Sequence, residues 1–494
     1  MHEGTLPPTP PESTPMRSRA ALIAVAATAV VAAVALSWDR AGMGWLLTAL
    51  VAAAAVLLAV RGGRRGAEAG RAWSGRAGIR AAWAAAAGML IAVGAVRAAG
   101  WLFALCGLTA GLVGCVALTD RWSVGGLLLA PLRVGASVPA ALRWLIRGGI
   151  RARGQDRDAL VRTLVAGLIA VAMLFVFGFL LAGADPAFAQ VLSTWVPSWD
   201  AGTLVRWTWS AAVAVTVTAA TAHVLLTGDT AFEEKSRLGL VRRVEWALPV
   251  GGLVVLFAGF VAVEATVLFG GGQHVLATAG LTYAQYARSG FWQLLVVTGL
   301  AVVVVGVAAQ VAPRSTAADR MLLRTLLGLL SGLTLVIVAS ALSRMAAYEL
   351  AYGFTRQRLL VTTFELWLGV LFLLILVAGI RLRGRWVPRA ALAAAVAALL
   401  GLAVLNPDAF IARQNVARWV ETGRIDVDYL STLSADAVPA LQSLPEPYRS
   451  CALTAIANEL AGGRPEAWLE WNLGRNTARS ELHDRPAASV PCPP

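Results

Sequence analysis

Residues 359–380 read LLVTTFELWLGVLFLLILVAGI. One charged side chain, Glu365, interrupts an apolar run long enough to cross a bilayer, since a hydrocarbon core of roughly 30 Å takes about 20 helical residues at 1.5 Å each. Outward from it lie runs of similar character at 20–37, 42–60, 81–96, 98–118, 163–183, 205–226, 246–269, 291–312, 321–342 and 388–405. With 58% hydrophobic residues, the chain has too little polar surface to enclose so many apolar helices in a water-soluble core. The expected fold is therefore all-α, a polytopic helical membrane protein with about 11 transmembrane helices.

The basic residues set the orientation. With a cytoplasmic amino terminus, the inside loops hold 27 of the 42 Lys and Arg, the outside loops seven, and the tail beyond residue 405 the remaining eight. That is a strong positive-inside bias. An odd number of spans then places the tail outside, where it carries eleven acidic against eight basic side chains. The organisation reads as a cytoplasmic Pro-rich segment 1–19, a four-helix membrane region 20–118 and a basic cytoplasmic segment 119–162. A seven-helix membrane core 163–405 follows, then an extracytoplasmic helical tail 406–485 and a disordered end 486–494. This is the layout of a multi-pass plasma-membrane protein with a cytoplasmic amino terminus and an extracytoplasmic carboxyl terminus. The net charge of +14 sits on cytoplasmic loops, so anionic lipid headgroups are the expected partner, and no nucleic-acid motif accompanies it. Arg17 and Arg19 before an apolar run ending Ala33-Val34-Ala35 also suit a signal peptide. The long Pro-rich leader favours an uncleaved anchor.

Local signals place further helices. In 119–162 the apolar part 124–132 is too short to cross. After Ser137 and Pro139, which suit a helix start, Arg143, Arg147 and Arg151 share one face, as in a helix at the membrane surface or a solvated basic loop. Thr282-Tyr283-Ala284-Gln285 has the form of a capping box, which starts a helix outside the membrane ahead of the eighth span. If the ninth helix continues into 343–358, Arg344, Tyr348 and Tyr352 form one stripe and Glu349, Tyr352 and Arg356 another, with Gly353 as the terminator. An interfacial aromatic belt with surface ion pairs explains both stripes. Asn406-Pro407-Asp408 reads as an N-cap, a Pro at N1 and a first-turn acid, and short helices follow near 429–433, 447–461 and 465–482. Cys451 and Cys492 both fall in the tail, where a bridge is permitted, whereas Cys106 and Cys115 within the fourth span are expected to stay reduced.

A family resemblance rests on several separated motifs. Leu181-Ala-Gly-Ala-Asp-Pro186, the stretch Gly280 to Arg288 followed by Phe291-Trp-Gln293, Arg344 to Tyr352 followed by Gly353 and Thr355-Arg356, and Asn406 to Asn415 resemble the bacterial membrane-protein family of domain of unknown function 4173, close to the group numbered 4153. The resemblance covers about residues 160 to 440, the first four spans reading as generic. It implies no activity and carries over no site residues.

Chemistry-bearing motifs are scarce. His2, His223, His274 and His483 are scattered, no Cys-x-x-Cys or His-Glu-x-x-His occurs, and Lys235 lies outside any Gly-rich loop, so neither a metal nor a cofactor is expected. Gly107 to Gly111 and Gly328 to Gly332 have GxxxG spacing, a helix-packing device. The remaining candidates are ionisable or polar groups within spans. Glu264 and Glu365 each lie roughly 8 to 9 Å below the outer boundary at 1.5 Å per residue, and Gln293 lies near that level. A charge in hydrocarbon costs several kcal/mol unless it pairs or finds water. The three define a candidate outer-face pocket, roofed by Tyr283, Tyr286, Arg288, Arg344, Tyr348 and Glu349; helix packing by protonated or hydrogen-bonded carboxyls is the plainer account. A noncatalytic sensor or assembly platform, with a protein partner at the outer tail, is the first functional expectation. A transporter or export accessory using the intramembrane Glu residues, and a membrane enzyme acting on a lipid or cell-wall substrate, are the alternatives.

Overall fold

Apolar runs become helices here because a chain in hydrocarbon must satisfy every backbone N–H and C=O internally. The computed structural model describes residues 19–63, 69–119, 122–151, 201–227, 242–269, 291–462, 467–487 and 492. In these residues the chain forms α1 (Arg19–Ala35), α2 (Met43–Gly63), α3 (Ala69–Val96), α4 (Gly100–Thr119), α5 (Val124–Arg151), α6 (Ala201–Thr227), α7 (Arg243–Phe269), α8 (Phe291–Val311), α9 (Ala317–Tyr352), α10 (Arg356–Arg381) and α11 (Val387–Leu405). The tail adds α12 (Pro407–Thr422), α13 (Val427–Ser431), α14 (Val438–Leu441), α15 (Tyr448–Ala461) and α16 (Leu473–Asp484), with 3-10 turns at Ala435–Ala437 and Trp468–Glu470. No strand occurs among the described residues. The protein is thus an all-α, multi-pass membrane-type chain. Eight helices, α3, α4, α5 and α7 to α11, are long and apolar enough to cross a membrane. Large apolar side chains line the perimeter, such as Val404 at 81% exposure. The expected run 163–183 and the capping box at Thr282 lie outside the described residues.

Helices α1 to α6 pack as neighbours, as do α7 to α10, and α11 joins the two sets by touching α10, α3 and α4. One core runs through α7 to α10 around Leu330, Ile337 and Phe372. Another continues from α3, α4 and α11 into the tail, through Leu102, Val113, Ile411, Leu441 and Leu453. The tail is therefore packed on the bundle as a cap. It meets the α1–α2, α3–α4 and α9–α10 connections: Met43 N–H donates to Trp471 O at 3.1 Å, Asn472 Nδ2 to Gly94 O at 2.8 Å, and Arg418 Nη2 to Ala351 O at 2.7 Å. At the opposite end the Arg389 guanidinium lies 4.7 Å from the Trp122 ring centroid, and Arg243 pairs with Asp319 at the start of α9. The loops with few arginines and the loops with many thus sit at opposite ends of the bundle.

The structure differs from the sequence reading in several places. Residues 124–151 form one continuous helix containing Pro131 and Pro139, not an interrupted segment with a start near Ser137. Neighbours explain the continuity: Leu127 and Ala130 pack on the core around α4, and Val134, Val138 and Ala141 pack on Ala219 and Ala220 of α6. Asn406 is the left-handed C-cap residue of α11, with φ of 57°, and its side chain makes no capping bond to α12. Helix α9 does continue to Tyr352 and ends at Gly353, whose φ of 82° suits a residue without Cβ. Arg356 then opens α10, so it shares no α9 stripe with Glu349 and Tyr352. Among the described residues, a Cβ on Gly107, Gly111, Gly328 or Gly332 would meet nothing within 4 Å, so the GxxxG spacings mark no close helix crossing there.

Candidate functional site

Helix α10 presents Arg358, Thr362 and Glu365 along one face, spaced by four and three residues. That face meets α9. Gly369, one turn deeper, would bring a Cβ to 3.4 Å from Val338 Cγ1. Glu365 is fully enclosed, and among the described residues neither carboxyl oxygen has a hydrogen-bond partner. Towards the capped end, Glu349 of α9 is buried and faces Arg358 and Thr362, its Oε1 without a hydrogen-bond partner among the described residues. The Arg358 guanidinium lies 4.1 Å from the centroid of the Tyr348 ring, which stands edge-to-face with Tyr352 at 5.0 Å.

The expected pocket residues separate as follows. Tyr348, Glu349 and Glu365 lie along the α9–α10 seam, with Arg344 one turn of α9 below Tyr348 and half-buried. Gln293 is exposed at the start of α8, while Leu294 beside it enters the core. Glu264 belongs to α7, but its side chain, like Tyr283, Tyr286 and Arg288, lies outside the described residues.

A second polar cluster ties the cap to the bundle. Asp408, with its side chain wholly buried, accepts from Arg356 Nε at 2.9 Å and from Arg356 Nη2, a bidentate pair. Trp101 Nε1 of α4 and Ser434 N–H of the tail also donate to it, at 3.2 and 2.8 Å. Burial alone would raise the Asp408 carboxyl, but Arg356 and Ser434 hold it below the usual aspartate range. The Arg356 N–H donates to the Tyr429 hydroxyl at 2.7 Å. Asn415 brackets Phe354, donating to its O at 2.8 Å and accepting from its N–H at 3.2 Å. Nearby, Asp436 Oδ2 accepts the Ala98 and Ala99 amides at 2.7 and 3.1 Å, placing an acid from the tail at the entry to α4. Burial pushes the Asp436 carboxyl up to about 6, against the pull of those amides. At the far edge of the cap, Cys451 and Cys492 form a disulfide with Cα atoms 5.6 Å apart, and Cys106 and Cys115 are free thiols.

The Cys451–Cys492 bridge and the free Cys106 and Cys115 agree with the sequence reading, whereas the ties at Asp408 and Asp436 have no legible signal. Ser434 Oγ donates to Asp436 from two residues away, but the other donors to Asp408 and Asp436 lie 26 to 338 residues away in sequence, beyond any local pattern. No curated protein and no solved structure matches the chain. A family model does match, over residues 84–444, and it is the 4153 group that the motifs placed nearby, with the third and fourth spans included. With that match covering well over half of the sequence and spanning α4, the α9–α10 seam and much of the cap, the chain belongs to the family described as Domain of unknown function (DUF4153).

Proposed function

We propose that the chain is a noncatalytic platform of the bacterial plasma membrane, whose helical cap faces the extracytoplasmic side and receives a protein partner on its outer surface. One observation carries this reading: Asp408 of the cap takes buried polar bonds from the starts of α4 and α10 and from Ser434 of the cap itself, so the cap is fastened to the bundle at two connections through one carboxylate. A tail held only by its link to α11 would move freely. Buried, fully donated carboxylates are costly to desolvate and favour one arrangement over others, which suits a surface that must be displayed in a constant pose. The amino terminus is cytoplasmic in this reading, since the cap lies at the end whose loops carry few arginines. A second reading, a transporter or export accessory, is favoured by Glu365, an enclosed carboxyl in the membrane part of the chain with no hydrogen-bond partner among the described residues. Complementation of a deletion strain separates the two. The platform reading expects Asp408→Asn to lose function and Glu365→Gln to keep it at normal abundance. Loss with Glu365→Gln at normal abundance, and retention with Asp408→Asn, would reverse the assignment.

A further inference from the structure

The turn that carries the cap onto α2 is inside out. Glu470 and Asn472 point inward and are buried, Asn472 donating to Gly94 O and Arg97 O at 2.8 Å each. Trp468, Trp471 and Leu473, which alternate with them, point outward and are 72%, 40% and 43% exposed. A turn surrounded by water buries its apolar side chains and exposes its polar ones. Here the bundle ends take the polar side chains, and the apolar ones are left to whatever surrounds the protein.

The level of the turn identifies those surroundings. Met43 N–H, at the first residue of α2, donates to Trp471 O at 3.1 Å, and Arg475 Nη2 donates to Ala41 O at 3.0 Å. Gly42 and Gly44 let the backbone approach this closely: a Cβ on Gly42 would strike the Glu470 carbonyl, and one on Gly44 would come to 3.2 Å from Leu469 O. From that point α2 continues with Leu50, Leu57 and Leu58 exposed, an apolar face for lipid. Trp38, in the α1–α2 connection at the same level, is also exposed and stands edge-to-face with Trp45 at 5.3 Å. Indole rings combine a large apolar surface with one N–H donor, and they concentrate at the boundary between acyl chains and headgroups.

We propose that Trp468, Trp471 and Leu473 lie in the headgroup layer of the bilayer beside α2, so that the cap binds the lipid surface as well as the helix ends. The occupant of this face is lipid because the exposed patch is continuous with the lipid-facing side of α2. The inference rests on the chain crossing a membrane but not on the direction in which it crosses.

The test places the photoreactive residue benzoylphenylalanine at position 468 of the full chain, reconstituted in vesicles of phosphatidylethanolamine and phosphatidylglycerol. Position 404 on α11 serves as the lipid-facing control. Position 459 on α15 serves as the water-facing control, because α15 is exposed there and packs on cap elements rather than on the bundle helices. After irradiation, intact-mass spectra should show phospholipid adducts at 468 and 404 and none at 459. Adducts at 404 without any at 468 would overturn the proposal, as would equal adducts at 459 and 468. A protein cross-link at 468 in native membranes, replacing the lipid adduct, would assign the face to a partner chain instead.

Discussion

Asp408 shows how much one buried carboxylate can fix: donors from α4, from the first turn of α10 and from the tail converge on it. Asp408→Asn keeps its shape and removes its charge, leaving Arg356 without a counter-ion, and breaking a buried pair costs about 3 to 5 kcal/mol. The cap should then become sensitive to protease at temperatures where the wild-type cap resists, and unchanged digestion would show the pair to be dispensable. Because the Asp408 carboxyl is held low, its contribution is present above the usual aspartate value and is lost only as pH falls through the lower folded value. Asp436 works in the opposite sense. Its carboxyl is raised to about 6, so between roughly pH 4 and 6 the folded state keeps a proton that the unfolded chain has released. Stability therefore falls as pH rises through that window, by about 3 kcal/mol at most at ~1.4 kcal/mol per unit. The melting-temperature difference between Asp436→Asn and wild type should grow in favour of the variant from pH 4.5 to 7, and a difference flat with pH would contradict the raised carboxyl. Sequence reading found Glu365 because a lone acid in an apolar run is visible in the run itself. It took Asp408 for a first-turn acid, since the arginine and amide that define its role come from elsewhere in the chain.

Helices follow the same division between local and distant causes. Long apolar runs, such as those of α10 and α11, form helices where the sequence places them because hydrocarbon leaves the backbone no other solution; Pro388 sits in the first turn of α11, where it breaks no bond, and Glu365 is a single charge within the apolar run of α10. Helix α5 departs from its local signals: Pro131, Ser137 and Pro139 favour a break, and the packing of α4 and α6 on either side overrides them. Ser137 Oγ even bonds back to Val134 O at 2.7 Å within the continuous helix. The Gly353 terminator was legible because its position after the α9 stripes is local. Its Cβ would also meet Asn415 Oδ1, which fastens the cap to Phe354, so Gly353→Ala suffers both from the φ of 82° and from this contact. Gly328→Ala, in open space within a helix, should instead gain up to about 1 kcal/mol from helix propensity. Thermal melts of the two purified variants should move in opposite directions. A large loss with Gly328→Ala would show that its GxxxG stripe packs against a second copy of the chain.

At the scale of the whole molecule, the cap marks one end of the bundle and thereby counts crossings. Helix α4 runs from the capped end to the basic end, whereas α6 begins near the cap, where Trp38 Nε1 donates to Ser210 Oγ at 3.0 Å and Ala214 packs on Ala32 and Leu36. The chain between Thr119 and Ala201 must therefore cross the membrane an odd number of times. Helix α5 contains an apolar window of 18 residues at Gly125–Leu142, and 163–183 is a second candidate, so the two cannot be the only crossings together. Charge decides between them. If α5 crossed, Arg143, Arg147, Arg151, Arg153, Arg157 and Arg162 would all be translocated, against the bias kept by every other connection. On that charge argument the expected crossing is 163–183, which lies outside the described residues, with the arginines of α5 expected on the cytoplasmic side. Fusions of a reporter active only outside the cytoplasm should be inactive after Arg151 and Arg383 and active after Leu482. Activity after Arg151 would move the crossing to α5, and activity after Arg383 with silence after Leu482 would invert the whole chain. The disulfide offers an independent reading of the same side, because a bridge persists where thiols are oxidised. Mass spectrometry of nonreduced membranes should recover Cys451 and Cys492 in one linked peptide, with Cys106 and Cys115 unlinked. Free thiols at both tail positions, together with a silent Leu482 fusion, would put the cap in the cytoplasm and remove the ground for an extracytoplasmic partner.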